Sequence, residues 1–454
     1  MADSFSSSDA GSVPDPLPLA EVPDTMVPGE HEAFQAPTKS FSLGAQMFLA
    51  LANVAFFITI YPTGGILIPA QVVALDPRNK VISLGLLSTF AALASVLGNP
   101  IAGALSDRTT WKLGRRRSWM LIGTCTGVIA LLILANASSL PMLIVGAAMG
   151  QFFGSALLAG LSAVIPDRVP ERQRGTASAI VSLAIPLSII LGAVLVSSIL
   201  KLTRNNIAGA YYAIIVVLVV IIGLYVATMH EQPLPRHVVP PFKPGTFLAA
   251  FWINPRTYPD FSYAWLTRFL VILGYSVGVG YLNYYLRDVI KYTQHYPGHT
   301  IEEAAATLQI ISALFLIIAT VIFGILSDRL QRRKIFVMLA SGIIALGLLP
   351  LALIHTWTMV EIAAAIIGFG FGAYLGVDIA LVTQVLPRPQ DRGKDLGLIN
   401  IASAIPGLLA PGFGALVISL FAFDTILGYS ILFVVATVIV LLGSVLVQPI
   451  KGVR

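Results

Sequence analysis

GALSDRTTWKLGRRRSW (residues 103–119) sets one acid and five bases between two long apolar runs, in a chain where only 11% of residues are charged. GILSDRLQRRKIF (324–336) nearly repeats it. The apolar surroundings decide the class. Hydrophobic residues make up 56% of the 454 positions and the mean hydropathy is +0.85, well above a soluble domain. Apolar runs of about 20 residues are long enough to cross a bilayer as helices. They recur near 43–70, 81–105, 118–138, 141–166, 175–200, 207–228, 263–287, 304–326, 335–354, 358–386, 395–421 and 425–447. The sequence therefore predicts an all-α membrane protein with twelve spans. Strand-like alternation of the kind a membrane barrel needs is absent.

The spacing of the charged stretches shows a repeat. Ser106-Asp107-Arg108 recurs as Ser327-Asp328-Arg329, 221 residues on, and Pro166 recurs as Pro387 at the same offset. Ala184-Ile185-Pro186 recurs as Ala404-Ile405-Pro406 at 220, and Arg174-Gly175 as Arg392-Gly393 at 218. Six spans per repeat is an even number, so the two bundles run in the same direction across the membrane. The predicted organisation is a disordered acidic tail (1–40), a six-helix bundle (41–228), a linker (229–262), a second bundle (263–448) and a short C-terminus (449–454). The tail carries seven acids, one lysine and six prolines and has no apolar run from which to build a core or a signal peptide.

Lys and Arg in short connections mark the cytoplasmic side. The tail, the C-terminus and the connections after spans 2, 4, 6, 8 and 10 hold 21 of the 28 bases, against six on the other side. Both termini are thus expected in the cytoplasm. The net charge of +6 is a topology signal, with no nucleic-acid partner implied. Cys125 is the single cysteine, so no intrachain disulfide forms, and the histidines show no zinc spacing. GFGFGAYLG (368–376) has the glycines of a nucleotide loop, but it lies in mid-span with no strand before it. No ATP-binding loop, other cofactor motif or enzyme signature is present.

Two co-oriented six-span halves with charged loops after spans 2 and 8 resemble the major facilitator superfamily of transporters. The loop signature is carried by Gly103, Asp107, Arg108, Gly114, Arg115 and Arg116, with five residues between Arg108 and Gly114. This longer form, preceded by Gly98, Asn99 and Pro100, is similar to plant sucrose transporters and the glycoside–pentoside–hexuronide cation symporters. In the second copy, Asp328 and Arg329 are kept but Gln331 stands near the place of the glycine, which predicts a looser turn. The resemblance implies a gate in which Asp107 pairs with the loop arginines or with a helix N-terminus.

Polar residues inside the spans mark the candidate substrate path, because they are costly in hydrocarbon and face the interior. Arg268 and Asp378 both lie roughly 9–12 Å from the cytoplasmic ends of spans 7 and 10, at 1.5 Å per residue, so they can meet. They are either a structural ion pair or a coupling pair, with Asp378 taking up a proton and Arg268 tuning it. Candidate substrate residues are Asn53 and Tyr61 in span 1, Gln151 in span 4, Tyr275 and Asn283 in span 7, and Tyr374 in span 10. The resemblance places spans 1, 4, 7 and 10 around a central cavity. Gly146, Gly150 and Gly154 read as a close-packing face rather than a site.

Spans 1, 2, 4 and 5 lack the interior acid common in sugar–cation symporters, and span 4 lacks the arginine typical of drug–proton antiporters. The expected function is secondary transport by alternating access: uptake of a sugar or glycoside, with or without a coupled proton, by a monomer in the plasma (cell inner) membrane. The alternative is export of a neutral hydrophobic compound. The partners implied are the small-molecule substrate and the lipid bilayer.

Overall fold

A computed structural model describes residues 40–106, 108–229, 231, 258–384 and 392–450. The predicted tail and most of the linker fall outside them. Among the described residues, twelve helices are long and apolar enough to cross a membrane. In chain order they are α1 (Leu43–Leu75), α2 (Lys80–Ser106), α3 (Arg115–Ala135), α4 (Leu140–Arg168), α5 (Glu171–Leu202) and α6 (Ile207–Thr228). The second set is α7 (Pro259–Asp288), α8 (Ile301–Leu330), α9 (Arg333–Leu351), α10 (Trp357–Gln384), α11 (Arg392–Leu420) and α12 (Thr425–Val445). Rows of large apolar side chains face outward, such as Leu86, Phe90, Leu93, Leu97 and Ile101 on α2. In water such a surface would aggregate; in lipid it is the solvated face.

Helix starts follow the capping rules. Ser42, Asn206, Thr300 and Asp424 each accept a hydrogen bond from a backbone N–H in the first turn of the helix they precede. Several spans extend beyond the apolar runs. α5 begins at Glu171, not 175, after Pro170, and breaks at Leu183 just before Pro186, which has no N–H to donate. α1 continues to Leu75, and within it Thr63–Leu67 forms a π turn in which Ile68 N–H donates to the Thr63 carbonyl. α7 is interrupted at Tyr281.

The repeat is visible in the packing. In the first six helices α4 packs on α2 and α3, α1 on α5, and α3 on α6; in the second six α10 packs on α8 and α9, α7 on α11, and α9 on α12. The fold expected from the sequence therefore stands: two six-helix bundles in the same orientation. They meet along two helix pairs, α2 with α11 and α5 with α8.

The GFGFGAYLG stretch is a packing face. Gly368, Gly372 and Gly376 lie against the α8 backbone so closely that a Cβ would come within 2.3, 2.2 and 2.7 Å of carbonyl oxygens there. Across this contact Ser312 donates to the Ala364 carbonyl at 3.0 Å and Thr320 to the Gly372 carbonyl at 2.9 Å.

Candidate functional site

With an even number of spans, the start of α1 and the end of α12 share one face, here the tail face. The opposite is the far face. At the far face four polar contacts tie the halves together. Lys80, at the start of α2, forms an ion pair with Asp288 at the end of α7, and Asp288 also accepts from the Tyr429 hydroxyl at 3.0 Å. The Asn283 side chain donates to the Gly65 carbonyl in the π turn. Tyr284 donates to the Pro69 carbonyl at 3.4 Å, and Lys201 lies 3.6 Å from Glu303. Beside this seam Gly85 sits so close to α11 that a Cβ would be 2.8 Å from that of Ala415. The far face is closed. In the adjoining loop the Ser83 hydroxyl, 2.6 Å away, and Asn79 hold the Asp76 carboxyl below the ordinary range.

Below this closure lies a cavity of about 400 Å³. Its walls come from α1, α2, α3, α4 and α11, with Leu218 of α6 at one end. The polar side chains in the wall are Thr59, Thr63, Ser88, Ser95, Gln151 and Ser403, and no ionisable side chain is among the lining residues. Thr59 uses its hydroxyl on the Phe56 carbonyl of its own helix. Thr63 does not: its hydroxyl oxygen is buried without a hydrogen-bond partner. The Gln151 amide makes no side-chain hydrogen bond to protein among the described residues, although its backbone carbonyl accepts from Ser155.

Arg268 and Asp378 do meet. The Arg268 guanidinium pairs with one Asp378 oxygen, and the Tyr374 hydroxyl donates to the other at 2.7 Å. Arg268 Nε donates to the Ser403 hydroxyl at 2.7 Å, and Ser403 is part of the cavity wall. The buried pair thus stands directly behind the cavity. Its depth comes from helix rise: Arg268 is nine residues into α7 and Asp378 six from the end of α10, roughly 9–14 Å from the tail face. Each charge offsets the cost of burying the other.

The other candidates separate. Gln151 lines the cavity. Asn53 is buried and spends its amide on the Leu49 carbonyl one turn back. Tyr61 joins an aromatic contact with Phe57, 5.9 Å between ring centroids. Tyr275 stacks on Phe371 at 3.9 Å and borders a separate small void of about 30 Å³. Tyr374 orients Asp378, and Asn283 belongs to the far-face closure. Gly146, Gly150 and Gly154 line the cavity while also packing against neighbouring helices, a Cβ at each coming 3.0, 3.6 and 3.5 Å from Leu134, Ala130 and Phe56. Sequence reasoning misses Ser403 and Thr63. A Thr-Gly-Gly run inside a span is the one available signal for the latter.

At the tail face Asp107 lies outside the described residues, as does the Asp328 side chain. The loop arginines reach Asp167 at the end of α4: Arg115 and Arg116 each lie 2.9 Å from it, and Arg116 also donates to Ser106 at 3.0 Å. Glu231, just beyond α6, accepts from the backbone N–H groups of Arg116 and Arg117 at 2.9–3.0 Å and so caps α3. Gly114 makes room for it, with φ +91° and a hypothetical Cβ 2.5 Å from the Glu231 carboxylate. Gly103 has nothing near its Cα on the side where a Cβ would project. Arg108 donates its backbone N–H to the Leu105 carbonyl, and Arg329 lies exposed in the last turn of α8. The second loop is tight rather than loose. α8 and α9 are separated by two residues, and Gln331 takes the left-handed conformation at φ +52° that glycine would otherwise supply. No cluster of three metal-ligating side chains occurs among the described residues.

The sequence profile of the Major Facilitator Superfamily matches residues 43–411 and 299–451. No curated protein matches the sequence. Among solved structures the chain is similar to the nucleoside transporter NupG, with TM-score 0.69 and 12% identity over 91% of this chain and 100% of that one. A D-xylose-proton symporter gives TM-score 0.69 at 14% identity over 90% and 97%. A bacterial homologue of the human lysosomal transporter Spinster, inward-facing and unoccupied, gives 0.64 at 17% over 90% and 98%. At these identities the likeness is one of fold.

Proposed function

Because the chain belongs to the Major Facilitator Superfamily and is a small-molecule transporter rather than an enzyme, we propose that it takes up a sugar or glycoside by alternating access. The observation that carries this reading is the cavity: closed at the far face, with five hydroxyl groups and one amide set in a largely apolar wall, and free of ionisable lining side chains. Hydroxyls and an amide match a neutral polyol, whereas a charged substrate would need a counter-charge in the wall. The long SDR…GRRR loop supports the sugar branch of the family, that of the plant sucrose transporters and the glycoside–pentoside–hexuronide symporters.

In this reading the helices of 41–228 and 263–448 rock against each other, joined by 229–262 as a cytoplasmic linker. The tail face is cytoplasmic, the membrane is the plasma membrane, and a single chain suffices. Gln151, Thr63 and Ser403 contact substrate. Tyr61, Tyr275 and Asn53 shape the helices around the cavity, and Asn283 closes the far face. A proton on Asp378 would remove the charge that holds Arg268, leaving the guanidinium on Ser403 at the cavity wall. The tail-face loop, with Gly103, Asp107, Arg108 and the arginines on Asp167, is the opposing gate, matched in the second half by Asp328 and Arg329.

The test is uptake of labelled disaccharides and glycosides into proteoliposomes with and without an imposed pH gradient. Accumulation that needs the gradient and is lost in Asp378→Asn supports the whole reading. Accumulation without gradient dependence removes the coupling role. No uptake of any sugar removes the substrate class.

A further inference from the structure

The two halves are not equal at the tail face. In the first, the bases that open α3 are held by Asp167 and Glu231. The second half keeps the bases, as Arg332, Arg333 and Lys334 at the start of α9, but neither of those acids. At the repeat offset of 221 the residue matching Asp167 is Arg388. Glu231 stands before Gln232-Pro233; before the recurring Gln448-Pro449 stands Val447, fully buried. Among the described residues Arg332 and Lys334 form no ion pair. The first is exposed and the second half-buried. Residues 329–334 hold four bases and no acid, so this corner of the tail face calls for an anion from outside the chain.

A groove starts beside these bases. It has a volume of about 390 Å³ and lies between α9 and α12, walled by Ile335, Met338, Leu339, Ile343 and Leu346 of α9. Gly342 sits among them, where a Cβ would meet nothing within 4 Å. Ser444 of α12 is the one polar side chain in the wall, and its hydroxyl is spent on the Met338 carbonyl at 3.3 Å. Ile335, Leu339 and Leu346 are exposed, so the groove opens to the surroundings and offers them only apolar contact. Its residues recur every three or four positions and form one face of α9; Arg332 precedes Ile335 by three and Leu339 by seven, on that same face. From Ile335 to Leu346 the helix rises about 16 Å. That is roughly half of a hydrocarbon core about 30 Å thick, the depth of one leaflet. The charged end lies at the tail face and the apolar length runs inward from it.

We propose that this corner binds one anionic phospholipid of the tail-face leaflet, with its phosphate on Arg332 and Lys334 and one acyl chain in the groove between α9 and α12. Basic clusters at a leaflet surface attract such headgroups, and an apolar groove of one-leaflet depth selects a lipid over a free anion. The site is separate from the central cavity and does not depend on what is transported.

The test is native mass spectrometry of the full chain released from detergent micelles, with dioleoyl phosphatidylglycerol and dioleoyl phosphatidylcholine as probes and inorganic phosphate as competitor. One phosphatidylglycerol is expected to bind at least about tenfold tighter than phosphatidylcholine, from the two bases. Arg332→Gln combined with Lys334→Gln brings the two lipids within about twofold. Lys112→Gln combined with Arg172→Gln removes the same charge elsewhere on the tail face and leaves the preference in place. Gly342→Leu, which occupies the groove, weakens phosphatidylglycerol at least about threefold. Thermal unfolding checks the fold of each variant; should Gly342→Leu fail to fold, Gly342→Ala shifts affinity in the same direction by less. Equal binding of the two lipids overturns the proposal. So does a preference that survives the changes at Arg332 and Lys334, or one lost equally in the Lys112 and Arg172 variant. Unchanged affinity in the Gly342 variants, or displacement of the lipid by equimolar inorganic phosphate, rejects the acyl groove and the proposal with it.

Discussion

Lys80→Met tests whether the far-face ion pair holds the transporter in its closed state. The two side chains are 17% and 18% exposed, so the pair is neither free in water nor fully desolvated. Two unit charges about 4 Å apart attract by about 4 kcal/mol at an effective dielectric constant of 20. Desolvation and the lost rotamer freedom of a lysine return half of that or more. The net preference for the closed state is then about 1–2 kcal/mol. Methionine keeps an apolar stem beside the Tyr284 ring, over which the Lys80 ammonium lies 5.5 Å from the centroid, and deletes the charge. Asp288 retains the Tyr429 hydroxyl and is not stranded. Losing about 1–2 kcal/mol raises the open fraction about 5- to 30-fold.

Ser88, in the cavity wall, reports that fraction. With Cys125 replaced by Ser and Ser88 by Cys, an impermeant maleimide added to vesicles with the far face outward labels only molecules open on that side. Labelling is expected to accelerate 5- to 30-fold in Lys80→Met and to respond less to salt than in the parent. A rate within twofold of the parent, in vesicles of equal protein content, would refute the idea that this pair sets the equilibrium.

The Arg268–Asp378 pair makes a sharper thermodynamic statement. Asp378→Ala or Arg268→Ala alone leaves a buried charge and is expected to cost about 3–5 kcal/mol. The double replacement should cost clearly less than the sum, read as thermal unfolding in a double-mutant cycle; additive losses would show that the two act independently. Glu231→Ala removes the cap on α3 and is expected to lower stability by about 1–2 kcal/mol, while Glu231→Gln, which keeps one acceptor oxygen without the charge, loses less. Asp76 gives a pH signature. Its carboxyl titrates below the ordinary range when folded, so its contribution is present above the ordinary carboxylate value and is lost as pH falls through the lower, folded one. The stability gap between wild type and Asp76→Asn should therefore close on acidification, and a gap that widens would contradict the hydrogen-bond assignment.

The architecture is legible because apolar length, base asymmetry and the 221-residue offset all report on the same repeat. The Arg268–Asp378 contact is legible for a related reason: depth from a helix end is countable, and two opposite charges at one depth inside lipid have few other partners. The far-face pair leaves no such trace. Lys80 and Asp288 lie 208 residues apart at helix ends, where a charge looks like an ordinary loop residue. Stripes drawn at about 3.6 residues per turn fail beyond irregular points. The break at Tyr281 turns Asn283 and Tyr284 toward the other half, and the π turn alters the register of everything after Tyr61 in α1. Glycine spacing does not separate a tight helix contact from a looser one, as Gly123 and Gly127 show on one helix face. Asp167 and Glu231 engage the loop of Arg115, Arg116 and Arg117, and nothing in the linear order links those acids to that loop.

Thr63 and Gly65 are two residues apart in one distorted turn, the first lining the cavity and the second accepting the Asn283 bolt. Relaxation of a π turn to ordinary helix drops one residue from the turn, shifting the remainder of the helix by about 1.5 Å and 100°. Such a relaxation would carry the Gly65 carbonyl away from Asn283 as it moved the Thr63 hydroxyl. Grip and lock are then one moving part, so a load taken up on one side is felt by the door on the other without any relay between them.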